Sequence, residues 1–209
     1  MMTALFRAER AAAMVLGLMT GCSRTPPEPA PVAQAEAMAK PRPASEASRA
    51  QGRCIAPLPD IPPSIPPAAP ASRCPPDPEP ELTMPTTAVA FPDAPGAPSV
   101  DVELAKTPHD IERGLMYRRA MADNHGMLFR LEPRREQIFW MHNTCIPLDM
   151  MFIDDDGVIV GVVESAVPLT DTPRSVHCPS RFVLEVNAGW VRRHGVVPGQ
   201  RVSLPFSAR

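Results

Sequence analysis

Met150-Met151-Phe152-Ile153, then Asp154-Asp155-Asp156-Gly157, then Val158-Ile159-Val160-Gly161-Val162-Val163-Glu164: two apolar runs flank a polar turn that ends in glycine. Such a turn between apolar runs is a β-hairpin signal. Its three aspartates invite calcium, but no downstream glutamate completes an EF-hand spacing, so a plain hairpin loop is expected. Outward from the hairpin, Val100–Ala105 alternates apolar and polar residues as a half-buried strand does. Further strand signals lie at Gly126–Leu131, Gln137–His142, Phe182–Asn187 and Arg201–Leu204. Between Val100–Ala105 and Gly126–Leu131, Thr107 and Pro108 read as a helix cap and first helical residue, with Asp110 completing a box-like pattern. Ile111 and Leu115 share one face of that helix, which Gly114 keeps short. Ala188–His194 reads as a second short helix that carries Arg192, Arg193 and His194 at its C-terminal end, and Gly195 stops it. Val197-Pro198-Gly199-Gln200 is a turn into the last strand. Short strands with two brief helices predict a mainly β fold at the border of α+β, a β-sandwich or barrel.

This pattern occupies only the second half of the chain. Of the 29 prolines among 209 residues, 21 precede residue 99, whereas all five histidines, both tryptophans and the single tyrosine follow it. Residues 99–209 are therefore read as one compact domain and 22–98 as a Pro/Ala-rich disordered spacer, too poor in apolar residues to offset its ordering entropy. Upstream, Arg7 and Arg10 precede the short apolar stretch Ala11–Met19 and then Thr20-Gly21-Cys22. A basic start, a core too short for a membrane span and small residues before a cut site predict a secretory signal over residues 1–21. Met19-Thr20-Gly21-Cys22 resembles the bacterial lipobox, which implies lipidation of Cys22 and a membrane anchor. By the same resemblance to lipoproteins, Ser23 in place of aspartate after the cysteine implies the outer membrane. Four cysteines then remain, Cys54, Cys74, Cys145 and Cys178, and an even number in an exported chain predicts two disulfides. Short loop closure favours Cys54–Cys74 and Cys145–Cys178. A clamp from Cys54 or Cys74 to Cys145 or Cys178 is the alternative.

Several blocks occur in order within the second half. They are Arg113-Gly114-Leu115-Met116-Tyr117-Arg118, Gly126-Met127-Leu128-Phe129, Phe139-Trp140-Met141-His142-Asn143-Thr144, and Ile146-Pro147-Leu148-Asp149-Met150-Met151-Phe152-Ile153-Asp154. Gly157, Pro168-Leu169, Val183-Leu184-Glu185-Val186, Gly189, Gly195 and Gly199-Gln200-Arg201-Val202 follow. Over about residues 99–205 this resembles the family called domain of unknown function 192. The resemblance implies a small jelly-roll or barrel-like β fold, often carried on exported chains. It implies no catalytic residue, because the family's activity is not established. His142 stands where the family usually has lysine. Cys145 stands where an apolar residue is usual, which fits a lineage-specific disulfide to Cys178.

The polar residues of these blocks form the candidate ligand site: Arg113, Asn143, Thr144, Asp149 and Glu185, with Trp140 as a stacking face. The plain structural alternative pairs Arg113 with Asp149 or Glu185 and spends Asn143 and Thr144 on the turn before Pro147. No serine elbow, H-E-x-x-H or Cys-x-x-Cys is present, so no catalytic residue is assigned and a non-catalytic binding or interaction role is expected. The alternatives are a hydrolase of envelope material using Asp149 or Glu185, and a copper site. Copper would draw on Met127, Met141, His125 and His142, although methionine is more often core filler. Cys145 with His142 or His177 could form a thiol–imidazole pair, but an exported cysteine with a candidate partner is more often oxidised. No cofactor is implied. The expected partners are the membrane, through the lipid, and an envelope polysaccharide or protein. The domain's near-neutral balance of 13 basic against 14 acidic residues excludes sequence-independent nucleic-acid binding. A monomer is expected.

Overall fold

The computed structural model describes residues 52–58, 60, 66–80 and 82–206. The signal segment, Cys22 and much of the proline-rich stretch lie outside the described residues.

The hairpin forms as its sequence dictates. Strand β4 (Leu148–Ile153) pairs antiparallel with β5 (Ile159–Ala166) across the aspartate turn. Within that turn Asp154 Oδ1 accepts from the backbone N–H groups of Asp156 and Val158, both at 2.9 Å. The aspartate carboxylates are met by arginines: Arg53 reaches Asp154 and Asp156, and Arg134 and Arg181 reach Asp155.

Four more strands complete the sheet: β1 (Thr86–Ala90), β2 (Ser99–Ala105), β3 (His125–Glu136) and β6 (Pro179–Asn187). Their order is β1-β2-β3-β6-β4-β5, and every neighbouring pair is antiparallel except β2 with β3. A parallel pair needs a long crossover. Helix α1 (Pro108–Arg113) lies within it, and the capping box holds as expected, with Thr107 Oγ1 accepting from Asp110 N and Asp110 reaching back to Thr107 N. Helix α2 (Trp190–Arg193) follows β6.

The fold is thus mainly β with two short helices, as expected, and its strands form a single open sheet. Its nearest approach to a barrel is at one end, where Arg201 bridges to Val158 and Ser203 bridges to Ala90. These two bridges are all that forms of the strand expected at Arg201–Leu204. The strand expected at Gln137–His142 is likewise a single bridge, Phe139 to Arg174. Its in-and-out pattern is real, with Met141 buried and Ile138 and Trp140 exposed. Alternation reports half-burial, however, and a strand also needs a partner of matching length.

Both faces of the sheet are covered. Phe182, Leu184 and Val186 of β6 point to one face, with Val102, Leu128, Met151 and Trp190, whereas Val183 points to the other, with Met127, Phe129, Met150 and Phe152. This explains why β4 is buried along its whole length, unlike a half-exposed antiparallel strand.

The proline-rich stretch departs most from expectation. β1 lies inside the residues assigned to a disordered spacer, so the domain begins before residue 99. Farther upstream, Ala56 N donates to Val160 O, Ala68 N to Ser165 Oγ and Ala71 N to Cys145 O. The favoured disulfide pairing is also corrected: Cys54 bonds Cys178 and Cys74 bonds Cys145, which is the clamp. Local closure describes the entropy of an open chain, whereas the pairing follows which cysteines the folded sheet brings to 5.5 Å between Cα atoms. Among the described residues, no helix is long and apolar enough to cross a membrane.

Candidate functional site

On β6, Glu185 alternates with Leu184 and Val186 and so faces the same side as Val183. Its neighbours across the sheet are Met127 of β3 and Met150 of β4, both fully buried. Gly126 lets β3 approach closely here, because a Cβ would collide with the Glu185 carbonyl. The Glu185 residue is 4% exposed, and burial is the influence that acts on its carboxyl. A charge in such surroundings loses its hydration and gains nothing in return. Burial accordingly holds the Glu185 carboxyl up at about 8, leaving it a neutral acid at pH 7.

The carboxyl lines a cavity of about 240 Å³. Phe129, Leu131 and Arg135 come from β3, Ile111, Glu112 and Arg113 from α1, and Gln137, Ile138, Phe139 and Trp140 from the segment after β3. The walls follow from the local sequence. Gly114 takes φ +50 to end α1, and its missing Cβ makes room for the Phe129 ring. Phe139 packs edge-on to Phe129 at 5.2 Å and to Phe152 at 6.1 Å. Gln137 donates to the carbonyls of Pro133 and Ser180, at 3.2 Å each, and fixes the turn that leads to Phe139. Ile138 is 65% and Trp140 51% exposed at the mouth, where Trp140 also packs on His142 with 5.1 Å between ring centres.

Of the six candidate ligand residues, Arg113, Trp140, Thr144 and Glu185 share this cavity. Arg113 pairs with neither Asp149 nor Glu185. It bonds Asp77 at 2.6 Å and lies 3.6 Å from Glu79, both in the strap that Cys74–Cys145 holds against the domain. That guanidinium holds the Asp77 carboxyl below its ordinary value. Asn143 lines an adjoining groove with Trp140, His142 and Tyr117. Its backbone is left-handed at φ 52, its Nδ2 donates to Tyr117 Oη at 2.9 Å and its carbonyl accepts from Tyr117 N at 2.8 Å. Thr144 Oγ1 donates to the His142 carbonyl at 3.2 Å.

Asp149 stands apart. It faces the opposite side of the sheet, where Oδ1 accepts from Ser165 N at 2.8 Å and Oδ2 from Val191 N at 3.0 Å. With the Gly189 N–H it holds the start of α2, whose own cap position is glycine without a side-chain bond. Burial pushes its carboxyl up, opposed by those backbone donors. Asp149 and Glu185 therefore do not form the carboxylate pair that a glycoside hydrolase uses.

The other chemistries considered from sequence are also placed. Met127 and Met141 are fully buried in the core, whereas His125 is exposed at the head of β3 and His142 is bound to Asp171 at 2.7 Å. Among the described residues no three His, Cys, Asp or Glu side chains gather as a metal site. Cys145 is oxidised, which removes the thiol–imidazole pair. Sequence reasoning overlooked Phe129, Leu131 and Phe139 as site residues. The signal was available in Phe129, one residue class seen on β3, but only the sheet register sets it on the same face as Glu185. The strap residues Asp77 and Glu79 gave no signal.

The sequence profile of the domain of unknown function 192 family, described as "Uncharacterized ACR", matches residues 92–204. A solved structure from Novosphingobium aromaticivorans DSM 12444, a protein of unknown function, is 32% identical with a TM-score of 0.58, covering 68% of this chain and 94% of that one. Another, from Sinorhizobium meliloti 1021 and described as a "putative transcription regulator", is 42% identical with a TM-score of 0.56, covering 59% and 96% respectively. No curated protein matches the chain.

Proposed function

The chain belongs to the domain of unknown function 192 family, and on that premise we propose that it is a binding protein of the bacterial envelope, anchored by lipid on Cys22, whose ligand enters the Glu185 cavity. The observation that carries this reading is Glu185: a residue only 4% exposed, its carboxyl pKa raised by burial, in the lining of an aromatic-walled cavity beside the exposed Ile138 and Trp140. A cavity with aromatic walls and a few directed polar groups is the usual build of a small-molecule site. Burying a carboxyl costs stability, which a ligand that bonds to it would offset.

Two further features support the envelope. The lipobox-like Met19–Cys22 follows an export-type segment, and the two disulfides suit an oxidising compartment. The transcription-regulator description of the S. meliloti relative is not carried over, because the domain's charge is nearly balanced and disulfides are rare in cytosolic proteins.

A fragment screen by NMR on the detergent-solubilised full chain tests the site. Fragments should shift the Trp140 indole and the side chains of Phe129 and Phe139, and Leu131→Trp should abolish those shifts by filling the cavity. Fragments that collect elsewhere, or none at all, would overturn the reading. Intact mass of membrane-extracted protein tests the anchor. Residues 22–209 plus acyl chains are expected, and a mass that retains residues 1–21 would remove it.

A further inference from the structure

The Glu185 cavity narrows its own ligand class. Three aromatic rings, Phe129, Phe139 and Trp140, line it, and ring faces carry negative quadrupole charge. The Glu185 acid in its lining faces no cation among its sheet neighbours, since β3 and β4 present Met127 and Met150 there. An anionic ligand would meet the ring faces unfavourably, and the carboxylate as well once it is ionised. A neutral ligand could use the carboxyl only as a hydrogen-bonding acid. An organic cation would meet both with attraction.

The charged groups that face the cavity are few. α1 presents Glu112 and Arg113, β3 presents Arg135, and the segment after β3 presents the uncharged Gln137, Trp140 and, farther on, Thr144. The Arg113 charge is answered by Asp77 and Glu79 of the strap, so it does not set the sign of the interior.

Resting on the binding reading above, we infer that this cavity takes an organic ammonium group, with Glu185 as its counter-ion and Trp140 and the two phenylalanines as its aromatic walls. Arg113, largely buried and tied to the strap, and the exposed Arg135 also line the cavity. Binding then requires the Glu185 carboxylate, so the ligand drives ionisation of an acid that burial otherwise keeps protonated.

The test uses choline, whose charge does not titrate, and its uncharged isostere 3,3-dimethylbutan-1-ol. Both are titrated into the full chain in a maltoside detergent and followed by the Trp140 indole resonance. The choline affinity should tighten about 90-fold from pH 6 to pH 9, as expected for a ligand that binds only the ionised form of an acid near 8. Glu185→Gln should abolish that pH dependence and weaken choline at least tenfold at pH 9. Trp140→Leu, at a half-exposed ring whose loss leaves the core intact, should weaken choline several-fold and leave the isostere unchanged.

If the isostere binds as tightly as choline, or if choline affinity is flat or falls with pH, the ammonium class is overturned while the cavity stands as a binding site. If neither probe moves the indole, the ammonium inference also fails, and the fragment screen then decides the binding reading separately.

Discussion

Replacing Glu185 by glutamine should stabilise the protein, and increasingly so as pH rises. The carboxyl has an ordinary value of 4.5 and is held at about 8 in the fold. Between those two pH values the unfolded chain has released the proton and the folded chain has kept it. Folding stability therefore falls by about 1.4 kcal/mol per pH unit through that window, about 5 kcal/mol in all. Below 4.5 both states hold the proton, and above 8 both have lost it, so the contribution is flat on either side. Glutamine keeps the shape and removes the titration. Guanidinium unfolding of the disulfide-intact chain, followed by the buried Trp190 at a series of pH values from 4.5 to 9, gives both stabilities. Taking the difference between variant and wild type cancels every other titrating group, including the Asp149 carboxyl, which burial also pushes up. The glutamine variant should match wild type near pH 4.5 and exceed it by several kcal/mol at pH 9. A difference that stays constant with pH, or a variant that loses ground as pH rises, would show that Glu185 is not a desolvated acid, and the cavity argument would go with it.

Peptide mapping under non-reducing conditions should recover Cys54 joined to Cys178 and Cys74 joined to Cys145; a peptide joining Cys54 to Cys74 would refute the clamp. Because these bridges close separations of 124 and 71 residues, removing either should cost about 4–5 kcal/mol in the chain-entropy model, measured by the same unfolding experiment. Asp149→Ala leaves the N–H groups of Ser165, Gly189 and Val191 without their acceptor and should cost about 3 kcal/mol, while probe binding at the Glu185 cavity stays unchanged. Arg113→Ala should speed amide exchange at Glu79, whose N–H is held by the Asp77 carboxylate. In the wild type the same quickening, relative to the intrinsic rate, should appear on acidification. Arg113 lowers Asp77, so the pair persists above the usual carboxylate range and is lost as pH falls through the lowered value.

Local chemistry was legible in the sequence wherever a few adjacent residues decide the outcome. The aspartate turn between two apolar runs made its hairpin, Thr107-Pro108 with Asp110 made its capped helix, and Gly114 and Gly195 ended helices where glycine was expected to. The mainly β class followed from the same periodicities. Ordering the strands, pairing the cysteines and choosing the face of each polar side chain belong to the tertiary structure, because each depends on residues far apart in sequence. Asp149 and Glu185 look equivalent as motif carboxylates, yet one step of register in the β4–β6 pairing sends them to opposite faces, one to hold a helix start and the other to line a cavity. Arg113 found its partners in Asp77 and Glu79, in a stretch whose composition predicts disorder, because two long-range disulfides and hydrogen bonds to Val160, Ser165 and Cys145 bring that stretch onto the sheet. Proline content reports what a segment does alone. It carries no information about a partner supplied by the rest of the fold.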